Sequence, residues 1–195
     1  RLYEMFMGPF DQAIRWNVDN IVGSRRFLER TWRMQDKVAK TAVLDEETST
    51  LFQKTILKVD TDIEGMHFNT AISSLMILLN QLEKAPLLPQ KIYEEFLLLL
   101  APFAPHITEE LWSTLGHSDS IHSEPWPTYN KEEAAPKTVK IVEQVNGKVR
   151  GTLILPSGTD ENSVRALAEQ DPVVARNITG KKVEKVIFVK EKVIN

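Results

Sequence analysis

Apolar residues recur at helical spacing through the first two thirds of the chain. Between about residues 19 and 40, with Asp19 or Asn20 as candidate caps, Ile21, Leu28 and Val38 share one broad side with Phe27 and Trp32. On the opposite side Arg26, Arg30, Arg33, Lys37 and Lys40 recur at i, i+4, i+7, i+11 and i+14, which stacks five cations along one stripe. A second helix is predicted over about residues 46 to 64, where Phe52, Ile56, Val59 and Ile63 repeat on one face and Gly65 ends the run. A third, about residues 69 to 84, is apolar on most sides through Ala71, Ile72, Leu75, Met76, Ile77, Leu78, Leu79 and Leu82. It is therefore expected at the centre of a bundle.

Pro86 and Pro89 interrupt the chain, and Pro89 is expected at the first position of a fourth helix carrying Ile92, Phe96, Leu97, Leu99 and Leu100. In LLLLAPFAPHITEELWSTLG, residues 97 to 116, Pro102 must end or kink that helix because its ring clashes with the preceding turn. Pro105 can restart one at its own first position, with Ile107, Leu111 and Leu115 inward and Glu109 and Glu110 near the positive end of the dipole. Two prolines thus make a corner, and His106 is expected to be satisfied by that corner. Residues 117 to 136 are rich in Ser, Pro and acids and are expected to form a linker, with Trp126 and Tyr129 pinning it to the bundle.

From Lys137 the period changes from helical to alternating. Residues 138 to 145 and 148 to 155 flank Asn146-Gly147 and predict a hairpin. A two-residue loop would set Val139 and Ile141 on the face of Arg150 and Thr152. A three-residue loop, with Gly147 as a left-handed bulge, pairs Val139 with Leu153 and Ile141 with Gly151, leaving Lys140, Gln144, Lys148 and Arg150 on the outer face. Asp160 then caps a short helix with Val164, Leu167 and Ala168 inward, Asp171-Pro172 starts another, and residues 183 to 190 predict a mostly buried strand. The expected fold class is an α-helical bundle followed by a small α+β domain of about 60 residues, near the lower limit for independent stability. The expected divisions are 1–18, a connection to a preceding domain; 19–116, the helical domain; 117–136, the linker; and 137–195, the small domain.

Composition narrows the function more than it suggests one. A hydrophobic share of 42% and a charged share of 26% are those of an ordinary folded chain. With no cysteine, disulfides, thiol catalysis and cysteine-ligated zinc are excluded, and a reducing, cytoplasmic setting fits. The longest apolar run, residues 96 to 104, falls short of the roughly 20 residues of a membrane span, so no membrane association is expected. The net charge of −3 hides a split: residues 137 to 195 hold 11 Lys and Arg against 7 Asp and Glu, so the remainder carries the acidic excess.

No glycine-rich phosphate loop, HExxH pair or GxSxG elbow occurs. His117, Asp119, His122 and Glu124 have spacing that fits no helix face, and His67 falls between two helices where a corner is expected, so no metal ligands are assigned. The polypeptide carries no catalytic constellation of its own. Its opening at Arg1, already in mid-pattern, leads to the expectation of a piece of a longer protein.

Five stretches in order, RLYEMFMGPFDQAIRWN, GSRRFLERTWR, FNTAISSLMILLNQL, LLLLAPFAPHITEELW and QVNGKVRGTLILP, resemble the C-terminal region of bacterial-type leucyl-tRNA synthetases. The proline-corner stretch alone is shared with valyl, isoleucyl and methionyl relatives; the first and last are more particular to the leucyl family. The resemblance implies a class I ligase that joins leucine to tRNA(Leu) using ATP and Mg²⁺, with its nucleotide-binding signatures, HIGH and KMSKS, upstream of this chain. It implies that residues 19–116 are the anticodon-binding bundle and 137–195 a C-terminal domain that grips tRNA, with no cofactor in this part and a monomeric state. The family usually runs on past Lys192-Val193-Ile194-Asn195, so the last strand is expected to be cut short.

If RNA binds, phosphate neutralisation by Lys and Arg carries most of the affinity. The candidate RNA-binding residues are Arg26, Arg30, Arg33 and Lys37 on the first long helix, with Lys140, Lys148, Arg150, Lys181 and Lys182 in the second domain. The competing readings are a solvated charged face, a freestanding helical module that binds protein, and the equivalent region of a valyl- or isoleucyl-type synthetase.

Overall fold

The computed structural model describes residues 1–134, 138–181 and 183–195, and the chain divides into two compact units, Arg1–Ala134 and Ala135–Asn195. In the first unit a short helix α1 (Leu2–Phe6) is followed by α2 (Ile21–Arg33), α3 (Glu46–Glu64), α4 (Phe68–Leu82), α5 (Gln90–Leu100), α6 (Pro105–Thr114) and a last turn α7 (Lys131–Ala134). Two-residue strands β1 (Val38–Ala39) and β2 (Leu88–Pro89) pair in parallel.

The apolar periodicity places the core. On α4, Ala71, Ile72, Leu75, Leu78, Leu79 and Leu82 are fully buried, as the all-round apolar pattern predicts, although Ile77 faces outward. Phe52, Ile56 and Val59 of α3, Tyr93, Phe96, Leu97, Leu99 and Leu100 of α5, and Leu111 and Trp112 of α6 close around it. Asp45 caps α3 through the Thr48 amide at 2.8 Å. Gly65 ends that helix, and it is the next residue, Met66, that takes the left-handed conformation (φ 58°). At the α3–α4 corner buried Asp62 accepts from Lys58 and from the Thr70 hydroxyl at 2.7 Å, with His67 Nδ1 at 4.0 Å. Among the described residues no helix is long and apolar enough to cross a membrane.

Pro102 and Pro105 act as predicted: α5 stops at Leu100 and α6 starts with Pro105 at its first position. His106 is exposed, however, and no hydrogen-bond partner at the corner holds its ring among the described residues. Pro89 stands one residue before α5, where it is part of β2. Residues 117–134, expected as linker, belong to the first unit. Ile121 is buried, Trp126 packs on the core, and the His117 ring stacks on Trp112 at 3.8 Å while its Nε2 meets Glu94 Oε1 at 2.8 Å. Tyr129 stays partly exposed.

The first long helix is shorter than the stripe of cations implies. Its α-helical part ends at Arg33, residues 34–37 tighten into a 3₁₀ turn, and Val38 enters β1. Lys37 and Lys40 therefore leave the helical stripe. Trp32, expected on the inward side, is 41% exposed.

In the second unit β3 (Thr138–Val145), β4 (Lys148–Pro156), α8 (Glu161–Gln170), α9 (Pro172–Ile178), β5 (Phe188–Val189) and β6 (Val193–Ile194) form a sheet of order β4-β3-β6-β5 with two helices. β3 is antiparallel to β4 and parallel to β6. The core is small: Ile141, Val164, Ala168 and Ile194, with Val139, Leu153, Leu155, Val186 and Phe188 against it. Asp160 and Asp171 cap the two helices as predicted. Leu167, expected inward, is partly exposed. The buried strand predicted over 183–190 is reduced to β5 at the sheet edge, and Val183, Ile187 and Val189 remain partly exposed.

The hairpin register differs from both patterns considered. Asn146 (φ 52°) and Gly147 (φ 73°) form a two-residue turn with Val145 opposite Lys148. A bulge then inserts Arg150 into β4, so Glu143 faces Gly151, Ile141 faces Leu153 and Val139 faces Leu155. The bulge achieves inside the strand what the three-residue loop was expected to achieve at the turn, setting Val139 and Ile141 against leucines, but it leaves Glu143 on that same face.

Candidate nucleic-acid interface

The cations on α2 fall into two groups. Buried Phe27 and Thr31 fix the rotation of the helix against the core, and the Tyr93 hydroxyl donates to the Thr31 carbonyl at 2.8 Å. That buried phenol is pushed to a high pKa by desolvation and, secondarily, by Asp36, so it stays a neutral donor. The rotation turns Arg30 toward the end of α4. Its guanidinium forms a bidentate pair with Glu83, including Nε to Oε1 at 2.9 Å, and donates to Asn80 Oδ1 at 2.6 Å. The hydrogen bond from Arg30 holds the Glu83 carboxyl below its ordinary pKa.

Lys37 is committed in the same place. Its ammonium donates to the backbone carbonyls of Glu83 at 2.6 Å and Ala85 at 3.1 Å, groups that the end of α4 leaves without helical partners. Arg30 and Lys37, expected as RNA ligands, thus have partners within their own unit: a bidentate carboxylate and two carbonyls take most of their donors, and together they clamp α2 and its 3₁₀ extension to the end of α4.

Arg26 and Arg33 are different. Both are exposed, and neither has an ion-pair or hydrogen-bond partner for its side chain among the described residues. They are seven residues apart and so lie on one stripe of α2, one rise of two turns apart. Arg25, on the adjoining stripe, is held by Glu29 at 2.9 Å. What remains of the predicted five-cation stripe is one pair of free guanidinium groups with Val22 exposed on the same outward face and Trp32 exposed on the flank.

In the second unit Lys140 is exposed on the outer face of β3, and half-buried Arg150 joins that side at the bulge, where its Nε lacks a protein partner. Lys148 does not join them: paired with Val145, it follows the alternation to the opposite face. Lys181 is exposed, and its ammonium reaches the Asn177 carbonyl at the end of α9 at 3.1 Å. Lys182 lies outside the described residues. The sequence-predicted set in this unit is thus spread over both faces. Arg176, Lys185, Lys190 and Lys192, also exposed, escape sequence reasoning because they belong to no periodic run.

Beside these cations is an open cavity of about 470 Å³ bordered by Val145, Ala168, Val174, Ile178 and Ile187 with Arg165 at its margin. Glu143, 1% exposed, is among the residues lining it, with neither carboxylate oxygen hydrogen-bonded. Desolvation, and then the nearby Asp171, raise its pKa. The arrangement on α2 and the outer hairpin face can neutralise phosphates; among the described residues no cluster of His, Asp and Glu has metal-ligand geometry.

The whole chain superposes with a TM-score of 0.81 and 27% identity on the LeuRS of Agrobacterium radiobacter K84, solved as a ternary LeuRS-tRNA-LeuAMS complex, and spans 28% of that protein's length. Residues 45–165 match the family model described as the anticodon-binding domain of tRNA ligase. With α3 to α6, the proline corner and the hairpin all inside the matched segment, the chain belongs to the anticodon-binding domain family of tRNA ligases.

Proposed function

We propose that this chain is the tRNA-binding part of a leucine-tRNA ligase, and that it binds and positions tRNA(Leu) without making or breaking a bond. The free guanidinium pair Arg26 and Arg33 on an exposed helix face is the observation that carries this reading. The likeness to a LeuRS solved with tRNA supports it. Ligation, with its ATP and Mg²⁺, takes place in a part of the parent enzyme outside this chain. The chain works as a monomer in the cytoplasm, gripping the sugar-phosphate backbone through α2 and through Lys140 and Arg150 on the outer hairpin face.

Filter binding of tRNA(Leu) at two salt concentrations tests the proposal. Retention at low salt that falls steeply as salt rises is expected, because each neutralised phosphate releases counterions. The chain alone is expected neither to activate leucine nor to form aminoacyl-tRNA. No retention at low salt would overturn the RNA reading in favour of a helical module that binds protein, and stronger retention of valine or isoleucine tRNA would overturn the leucine assignment.

A further inference from the structure

We infer that Trp32 is a stacking platform for an unpaired base of the RNA held by Arg26 and Arg33. This rests on α2 facing RNA, as proposed above. The inward residues of α2 are Ser24, Phe27 and Thr31, which leaves Trp32 on the flank of the helix, about 100° from Thr31. Its ring takes part in none of the aromatic pairs formed among the described residues, which join Tyr3 to Trp16, Phe10 to Phe68, Phe68 to Phe103 and Trp112 to His117. A large apolar ring 41% exposed on a helix has a cost in water that its own fold does not offset.

Helical geometry shows what surrounds it. At 100° per residue, Trp32 shares a stripe with Arg25 and Glu29, whose ion pair holds their charges close to the helix. Arg33 and Arg26 lie further round the helix, about 100° and 120° from Trp32. The indole is therefore an exposed π-face on the flank of the helix that presents two unpaired cations. That combination fits an anionic chain bearing flat rings: the cations take phosphates, and the ring takes a base that has left its stack. A protein partner would have to supply a carboxylate pair and, separately, an apolar cap, whereas every nucleotide carries both an anion and a flat face. Stacking uses no base edge, so the indole anchors the RNA without reading its sequence.

The two contributions separate by their salt dependence. The full chain is titrated with tRNA(Leu) over a range of salt concentrations, as wild type, Trp32→Ala, Trp32→Phe and the double variant Arg26→Ala/Arg33→Ala. Trp32→Ala is expected to weaken binding about 5- to 100-fold, the range for removal of one base–aromatic stack, with the slope of log K against log salt unchanged. Trp32→Phe is expected to recover most of the loss. The double arginine variant is expected to flatten the slope by about 0.7 to 0.9 for each phosphate that is no longer neutralised. Thermal melts of each variant check that folding is intact, and recovery by phenylalanine distinguishes an absent stack from a damaged helix. If Trp32→Ala binds as wild type while the arginine variant is impaired, the stacking assignment is wrong and the RNA reading stands; the indole then covers a protein surface. A wild-type chain that binds no tRNA at any salt overturns both.

Discussion

Glu143 is the residue whose setting is least forgiving. Its carboxyl lies against Gly151 in the hairpin, where a Cβ on that residue would collide with Oε2, and Asp171 at the start of α9 stands on the other side. Burial and a like charge both favour the protonated form, so its folded pKa lies above its unfolded value near 4.5. Below the unfolded value both states hold the proton and nothing is lost. As pH rises through the folded pKa, the folded unit must either keep the proton or bury a charge, and stability falls. Depressed groups such as Asp160 and Glu191 run the other way, contributing stability that is lost as pH falls through their folded pKa values. Glu143→Gln is therefore expected to be more stable than wild type near neutrality, by about 1–3 kcal/mol, with the gap closing toward pH 4.5. Urea melts of both proteins across that range check it; a gap that does not change with pH would contradict it. Gly151→Ala is expected to destabilise the second unit, measured in the same way.

At the scale of elements, the clamp between α2 and α4 and the register of the hairpin decide which cations are available. Arg30→Ala or Lys37→Ala is expected to lower stability by about 1.5–3 kcal/mol, because hydrogen bonds to a charged group are removed and Glu83 or its neighbouring carbonyls are left poorly satisfied. Arg26→Ala and Arg33→Ala are expected to stay within about 0.5 kcal/mol of wild type, as exposed residues without partners do. Thermal melts of the four variants sort them. The clamp is not legible in the chain, since Arg30 and Glu83 are 53 positions apart and an i, i+4 stripe of cations looks the same whether or not a distant carboxylate meets it. The helices themselves are legible because their signals are local: Asp45 before a regular apolar face, and two prolines at a corner. The bulge at Arg150 is not, since the run on each side of it is regular by itself and the one-residue shift between the two runs is fixed only by which partners bury. Trp32 defeats the pattern because the α-helix stops at Arg33 rather than running on to Lys40, and residue type alone does not say which side of a shorter helix meets the core.

On the scale of the molecule, an acidic helical unit and a basic α+β unit share one chain. The hydrophobic period changes near residue 137, and the two units are Arg1–Ala134 and Ala135–Asn195. Composition does not show that residues 117–134 belong to the first unit, because Ile121 and the His117–Trp112 stack are isolated signals in a polar stretch. The family membership accounts for the two units occurring in this order, since the matched segment runs from the second long helix into the second unit. In the proposed function, binding rests on a small number of free cations rather than on the net charge, which is negative. The most direct measurement is the salt dependence of tRNA(Leu) binding by Arg26→Glu/Arg33→Glu beside wild type. The account predicts weaker binding and a shallower slope with an unchanged melting temperature; equal affinity and equal slope in the two proteins would contradict it.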